Sequence, residues 1–480
     1  MSLERSAIRA ASWTALQNWG GQLISFGVFV LLARLLEPES FGLVAYAMSL
    51  IAFAQIIVRG GMGAAVVQRE ELEPAHLDTA FWYSLGGGLV LGGAVALCAT
   101  TLSEWLGESR LEPVLRALSL VFALNAVSEM QIAILRRRLH FRPLALRTFL
   151  ANAAGGGVAV AVALLGHGVW ALVFQQLVSL ATGATLMWIL SDWRPRAVFS
   201  RRHFRELFSF GGPMTLTAVL WAMNDRGDRI LIGRLLGSHA LGAYVVGARA
   251  IGMIVNVLSG IMVSVGLPIF SRLQADLDRM KRGYLKALRI NCLAIFPAYA
   301  GFFALAPELV PAVFGAGWEE AIPILRALSV FGVWQTMQSF ASPVLNGLGR
   351  PTWVTGLAAA NAALTLGGIA VAAPYGLEVV AWTLALRGAA MTPATLAAVG
   401  RVIGVSASDW IRAFGVPLLA SAAVAGLAFG VSRGTAGAVE PALLRLALAA
   451  ACAGLAYAAL VRLLAPVLFA EATDVLAQAL

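Results

Sequence analysis

Residues 207–236 read LFSFGGPMTLTAVLWAMNDRGDRILIGRLL, a mostly apolar run that carries Asn224, Asp225, Arg226, Asp228 and Arg229 near its middle. The run is longer than the roughly 20 residues that take an α-helix across the hydrocarbon core. A charged side chain at the bilayer centre costs about 2.5 to 3.5 kcal/mol on insertion scales, so ionisable residues placed there face protein or water and mark a working interior. At about 100° per residue, Trp221, Asp225, Asp228 and Arg229 share one face, with Arg226 at its edge. Asp225 and Arg229 stand four apart and can pair.

The rest of the chain agrees with a lipid solvent. Of its 480 residues, 59% are hydrophobic and 12% charged, a balance that excludes a water-soluble core with a polar skin. Fourteen apolar stretches lie at about 11–36, 41–67, 79–102, 111–135, 143–165, 168–190, 207–236, 240–267, 284–306, 320–346, 351–372, 377–400, 409–430 and 441–465. They lack period-2 alternation and exceed the roughly 10 residues of a barrel strand, which predicts an all-α integral membrane protein of about fourteen transmembrane helices.

Arginine placement predicts the orientation. With a cytoplasmic N-terminus, 23 of the 35 Lys and Arg residues fall on inner connections, in clusters such as Arg136 to Arg147 and Arg194 to Arg205. The outer connections near 37–40, 166–169, 237–239 and 374–378 hold none. That bias puts both termini in the cytoplasm. It also explains the net charge of +10 as inner-loop attraction to anionic headgroups, with no nucleic-acid motif present. Cys98, Cys292 and Cys452 stand singly, and the five His residues show no ligand spacing, so neither a metal nor another cofactor is expected.

An internal repeat organises the chain. Arg34-Leu35-Leu36 and Gly42 recur at Arg234-Leu235-Leu236 and Gly242, and Gly60 and Met62 at Gly260 and Met262, all at an offset of 200. An even number of spans separates the copies, which makes them parallel repeats about an axis along the membrane normal. The expected organisation is a six-helix lobe at 1–200, a second at 201–405, and two further helices at 406–480. Repeats of this kind enclose a site and alternate its access.

The segment from Ala33 to Tyr46 (ARLLEPESFGLVAY), Asp78 to Trp82 (DTAFW), and Asp228 to Gly237 (DRILIGRLLG) with Leu241 to Tyr244 (LGAY) resemble the polysaccharide transporter family, in its colanic-acid-exporter type. This is a branch of the superfamily that also holds multidrug extruders and the peptidoglycan-precursor flippase. The resemblance covers most of the first 275 residues by motif. It implies a flippase, without enzymatic chemistry, that moves undecaprenyl-pyrophosphate-linked oligosaccharide repeat units across the cytoplasmic (inner) membrane of a bacterium. A polysaccharide polymerase and export machinery are the partners such a flippase would serve.

Beyond 207–236, Arg59 follows Gln55, Arg249 shares a face with Asn256, Arg387 sits mid-span, and Glu129 follows Asn125. Five arginines (Arg59, Arg226, Arg229, Arg249, Arg387) against three acids (Glu129, Asp225, Asp228) leave an interior charge of +2. The planar, always-charged guanidinium fork suits a pyrophosphate headgroup. Asn18 and Gln22 on the first span, and Gln335 and Gln338 on the tenth, offer hydrogen bonds to sugar hydroxyls, with helix-to-helix contact the alternative use. Asp225, Asp228 and Glu129 are the groups through which H+ or Na+ coupling would act. A multidrug-type cation-coupled antiporter shares the architecture but calls for an acidic cavity. A polysaccharide polymerase or ligase calls for acid/base groups in a large outer loop, and none is present.

Overall fold

The computed structural model describes residues 20–59, 61–69, 71–138, 140–272, 276–435 and 442–464; the side chains of 57–59, 210–218, 220, 221, 225, 253–272 and 464 are outside that description. Every regular element among the described residues is helical. In chain order these are α1 (Gly20–Leu35), α2 (Pro38–Arg59), α3 (Met62–Gln68), α4 (Pro74–Leu97), α5 (Ala99–Leu106), α6 (Leu111–Leu118), α7 (Leu120–Arg137), α8 (Phe141–Leu164) and α9 (Val169–Leu190). Then come α10 (Arg201–Arg272), α11 (Leu277–Phe314), α12 (Ala321–Gln338), α13 (Ala341–Gly347), α14 (Pro351–Ala372), α15 (Leu377–Ile403), α16 (Ala407–Gly434) and α17 (Ala442–Leu464). Backbone donors and acceptors are satisfied within each segment, which is what hydrocarbon demands of a spanning chain.

Ten helices among the described residues are long and apolar enough to cross a membrane. The difference from fourteen has local causes. The seventh and eighth expected spans run together as α10, broken at Gly237, whose φ of 85° only glycine adopts without strain. The first expected span is described only from Gly20, so α1 falls short, and the second is divided by Gly61, at φ 69°, into α2, still long enough to cross, and the short α3. The fourth is interrupted at Ser119 yet still counts as one crossing, Leu111–Arg137, whereas the tenth divides near Phe340 into α12 and α13.

Polar residues mark the helix starts. Glu73 and His76 form a capping box at α4, followed by Pro74 at the first helical position. Asp276 accepts from the Arg279 N–H at α11, and Ser406 with Asp409 caps α16.

The chain divides into two compact units, Met1–Gly242 and Ala243–Leu480. In the first, Met62, Phe81, Met130 and Leu207 are buried together, with Trp188 and Trp193 against them. The glycine run of α4 serves close packing. A Cβ on Gly88 would lie 3.0 Å from the Phe122 carbonyl oxygen, and one on Gly92 3.0 Å from that of Ser119.

In the second unit, Tyr284, Leu288 and Phe296 of α11 pack with Phe340, Val399 and Phe414. The last helix, α17, joins α11 and α16 through Ala449, Ala453 and Val461. Its Tyr457 hydroxyl donates to the Leu293 carbonyl at 2.9 Å.

Candidate functional site

The repeat motif folds into a crossing. Positions 38–42, at the start of α2, lie against 238–242, just past the break in α10. A Cβ on Gly42 would stand 1.7 Å from the Ser238 carbonyl oxygen, and one on Gly242 would stand 1.9 Å from that of Pro38. Each glycine therefore meets the residue related by the 200-residue offset to the one its counterpart meets. Only hydrogen fits in either place. Gly233 lies similarly under the Tyr46 ring, 2.9 Å from where its Cβ would be.

Charges ring this crossing. Arg110 donates to Glu39 at 2.9 Å and to Glu108 at 3.2 Å, and the Ser238 hydroxyl donates to Glu108 at 2.7 Å. The hydrogen bonds to Glu39 and Glu108 hold the Arg110 guanidinium above its ordinary pKa. Arg234 reaches Gly107, its Nη1 3.5 Å from where a Cβ would stand, an ordinary contact.

Further back along α10, Arg226, Asp228 and Arg229 are half-buried. The Asp228 carboxylate accepts from the Arg229 backbone N–H at 2.7 Å. Arg229 Nε is buried and has no hydrogen-bond partner among the described residues. The side chains of Arg59, Asp225 and Asn256, and the whole of Asn18, lie outside the described residues, so the Asp225–Arg229 pair is not part of this description.

Elsewhere in the first unit, Gln22 and Gln55 are half-buried. Glu129 Oε1 lies 3.2 Å from the place a Cβ on Gly63 would take, so α7 and α3 approach one another at this carboxylate. Asn125 does not reach Glu129 with its amide; its Nδ2 donates to the Val121 carbonyl of its own helix at 2.9 Å.

In the second unit Arg249 is half-buried on α10. Arg387 of α15 donates to Thr365 Oγ1 and stacks over Phe331 at 4.6 Å from the ring centroid. Gln335 is exposed, whereas Gln338 is spent on helix packing. Its amide donates to Thr392 Oγ1 at 2.8 Å, and its oxygen accepts from Thr395 Oγ1 at 3.2 Å, which ties α12 to α15.

Two arrangements could not be read from spacing. In the first, Asp78, 2% exposed, accepts from the Arg196 N–H at 3.0 Å. Thr79 accepts from the Ser200 N–H at 3.1 Å, and Trp82 Nε1 donates to the Arg196 carbonyl at 2.7 Å. The DTAFW motif thus holds the connector between α9 and α10.

In the second, Glu206 of α10 bonds Arg69 at 2.6 Å, His76 at 3.0 Å and Arg202 at 3.0 Å, while His203 bonds Glu73 at 3.2 Å. The hydrogen bond from His76, then that from Arg202, depresses the Glu206 carboxyl to about 2. Glu73, His76 and His203 bring ligand atoms within 4.8 Å of one another, the spatial cluster that their separation in sequence hid. Both nitrogens of His76 are nevertheless committed. Nδ1 accepts from the Glu73 N–H at 3.1 Å, so the neutral ring carries its proton on Nε2 and donates to Glu206. A metal at His76 would have to displace one of these bonds.

Residues 31–323 match the model of the polysaccharide biosynthesis protein family. The teichuronic acid biosynthesis protein TuaB of Bacillus subtilis is 26% identical over 95% of both chains. The succinoglycan biosynthesis transport protein ExoT of Rhizobium meliloti is 28% identical over 79% of this chain and 77% of its own. The lipopolysaccharide biosynthesis protein WzxC of Escherichia coli is 26% identical over 72% and 70%.

Among solved structures, the lipid II flippase MurJ in an inward closed conformation superposes with a TM-score of 0.73 at 13% identity, over 95% of this chain and 98% of that one. An inward-facing multidrug resistance transporter of the MATE family and MOP superfamily gives 0.62 at 17% identity, over 80% and 94%. The helices, their apolar length and these matches agree: the chain is a multi-pass membrane protein with the fold of the MOP-superfamily transporters, and it belongs to the polysaccharide biosynthesis protein family.

Proposed function

We propose that this protein is a flippase that carries undecaprenyl-pyrophosphate-linked oligosaccharide repeat units from the inner to the outer leaflet of a bacterial cytoplasmic membrane, for assembly of surface polysaccharide. The observation that carries the reading is Arg229, a half-buried guanidinium on an apolar helix whose Nε has no partner among the described residues. A half-buried guanidinium with an unused Nε donor suits an anion, and a pyrophosphate supplies oxygens in matching geometry. Arg226, Arg249, Arg387 and Arg59 extend the cationic character, and Asp225, Asp228 and Glu129 are the groups for H+ or Na+ coupling.

In this reading the chain crosses the membrane fourteen times with both termini inside. Residues 1–200 and 201–405 form six-helix lobes, and 406–480 add two helices. The family membership and the relatives named for polysaccharide, succinoglycan and lipopolysaccharide biosynthesis support a transporter of sugar polymer precursors over an enzyme. The excess of arginine over acid favours it over a drug antiporter. The test is translocation of a fluorescent undecaprenyl-pyrophosphate oligosaccharide across proteoliposomes holding the purified protein. Transfer at the rate of empty liposomes, under imposed pH, Na+ and potential gradients alike, would reject the reading.

A further inference from the structure

Arg147 lies seven positions into α8, about 9 Å along the axis from the start of the helix at a rise of 1.5 Å per residue. Its guanidinium rests on the backbone of Gly183, which stands at a similar distance from the far end of α9. A Cβ on Gly183 would lie 3.0 Å from Arg147 Nε, 3.3 Å from Nη2 and 3.4 Å from Cζ, so the glycine forms a slot that fits the flat face of the guanidinium. Nε is buried and has no hydrogen-bond partner among the described residues. The neighbouring charge it feels is Arg136, of like sign, and no carboxylate faces it from α7, α8 or α9. Arg137, beside Arg136, is already spent on the carbonyls of Val66 and Arg69.

A half-buried guanidinium with an idle donor, next to a second arginine and with no carboxylate beside it among the described residues, is a favourable place for an anion. The depth narrows which anion. Given cytoplasmic placement of the Arg136 to Arg147 connection, about 9 Å into the helix is just inside a headgroup region roughly 5 to 8 Å deep, within a side chain's reach of the inner-leaflet phosphates. Simple snorkelling to water is a poor account, because the Gly183 slot holds the guanidinium against α9.

We propose that Arg147, seated on Gly183 and assisted by Arg136, binds the phosphate of a membrane lipid at the inner end of α8 and α9. The lipid is either a resident phospholipid or the carrier pyrophosphate on its way to the transport site; the second case rests on the flippase reading above, the first does not.

The experiment is native mass spectrometry of the full-length protein in detergent with three probes: phosphatidylglycerol, undecaprenyl pyrophosphate, and undecaprenol, which lacks phosphate. The expected result is that Arg147→Gln weakens retention of one or both phosphate lipids at least tenfold and leaves undecaprenol unchanged. Loss confined to undecaprenyl pyrophosphate assigns the site to the carrier, and loss confined to phosphatidylglycerol assigns it to a resident lipid. Arg147→Lys should fall between wild type and Gln, since charge survives and the fork does not.

Gly183→Ala, which obliges the guanidinium to give by only a few tenths of an ångström, should weaken retention of the same phosphate lipid less than Arg147→Gln does, at unchanged undecaprenol retention. Arg147→Ala serves as the second variant should Arg147→Gln fold poorly. Retention of both phosphate lipids at wild-type levels in Arg147→Gln, or, should that variant fold poorly, in Arg147→Ala, overturns the proposal. Because retention of phosphatidylglycerol is independent of translocation, failure of the flippase assay and failure of this site are read separately.

Discussion

Gly42 and Gly242, two hundred positions apart, each press a bare backbone against a carbonyl, Gly42 on that of Ser238 and Gly242 on that of Pro38, so that the repeat in the sequence becomes a reciprocal contact. A methyl group at either place would enter at 1.7 or 1.9 Å, far inside van der Waals contact with a backbone atom that has no rotamer to escape into.

Gly42→Ala and Gly242→Ala should each destabilise the purified protein by about 1 to 3 kcal/mol, the usual range for overpacking. The double variant should cost less than the sum, because one displacement of the crossing relieves both clashes. Thermal unfolding in detergent followed by size-exclusion chromatography checks this. An unchanged midpoint in either single variant would show that the crossing is looser than described.

Arg226→Ala, Arg229→Ala and Arg249→Ala should each lower surface polysaccharide at least tenfold, equivalent to about 1.4 kcal/mol, at normal protein level in the membrane. Lys at the same positions should restore only part of it. Quantified polymer against an immunoblot of the membrane fraction provides the measurement. Full export by all three Ala variants would remove the anion argument.

Asp78→Ala should destabilise by about 1 to 3 kcal/mol, because it removes the buried carboxylate that accepts from the Arg196 N–H. Asp78→Asn retains an oxygen at the same place and should cost less. Thermal midpoints of the two variants, compared at one pH, separate a role in holding the α9–α10 connector from a role in charge.

Glu206 has its carboxyl held at about 2, below the ordinary 4.5, by His76 and then Arg202. A depressed carboxyl contributes stability that is complete above 4.5 and is lost as pH falls toward 2. The difference in unfolding midpoint between the wild type and Glu206→Gln should therefore be constant from neutral pH down to about 5 and shrink below it. A difference that persists unchanged at pH 3 would mean that the bonds do not depend on the carboxylate charge.

Much of the fold was legible along the chain. Apolar length announces a spanning helix because hydrocarbon forces each segment to satisfy its own backbone, a local condition that a sequence window can test. The break at Gly237 falls in the connection expected at 237–239. The candidate site was less legible. Gln338 reads equally as a sugar ligand or a packing group, and Thr392 and Thr395 claim it for packing. Arg147 was grouped with the inner-loop arginines, since nothing in its neighbours reveals the glycine slot on the next helix.

The amino-acid sequence by itself determined the solvent, the helical secondary structure, the repeat and which charged residues are out of place in lipid. These follow from composition and from the 3.6-residue period, properties of short stretches. Only the tertiary structure decided what those residues touch: that Asp78 serves a connector, that His76 and His203 share one charged cluster, and that Gly42 meets Ser238. Such contacts are set by how helices far apart in the chain pack together, and packing depends on shapes from several helices at once, which no single stretch encodes.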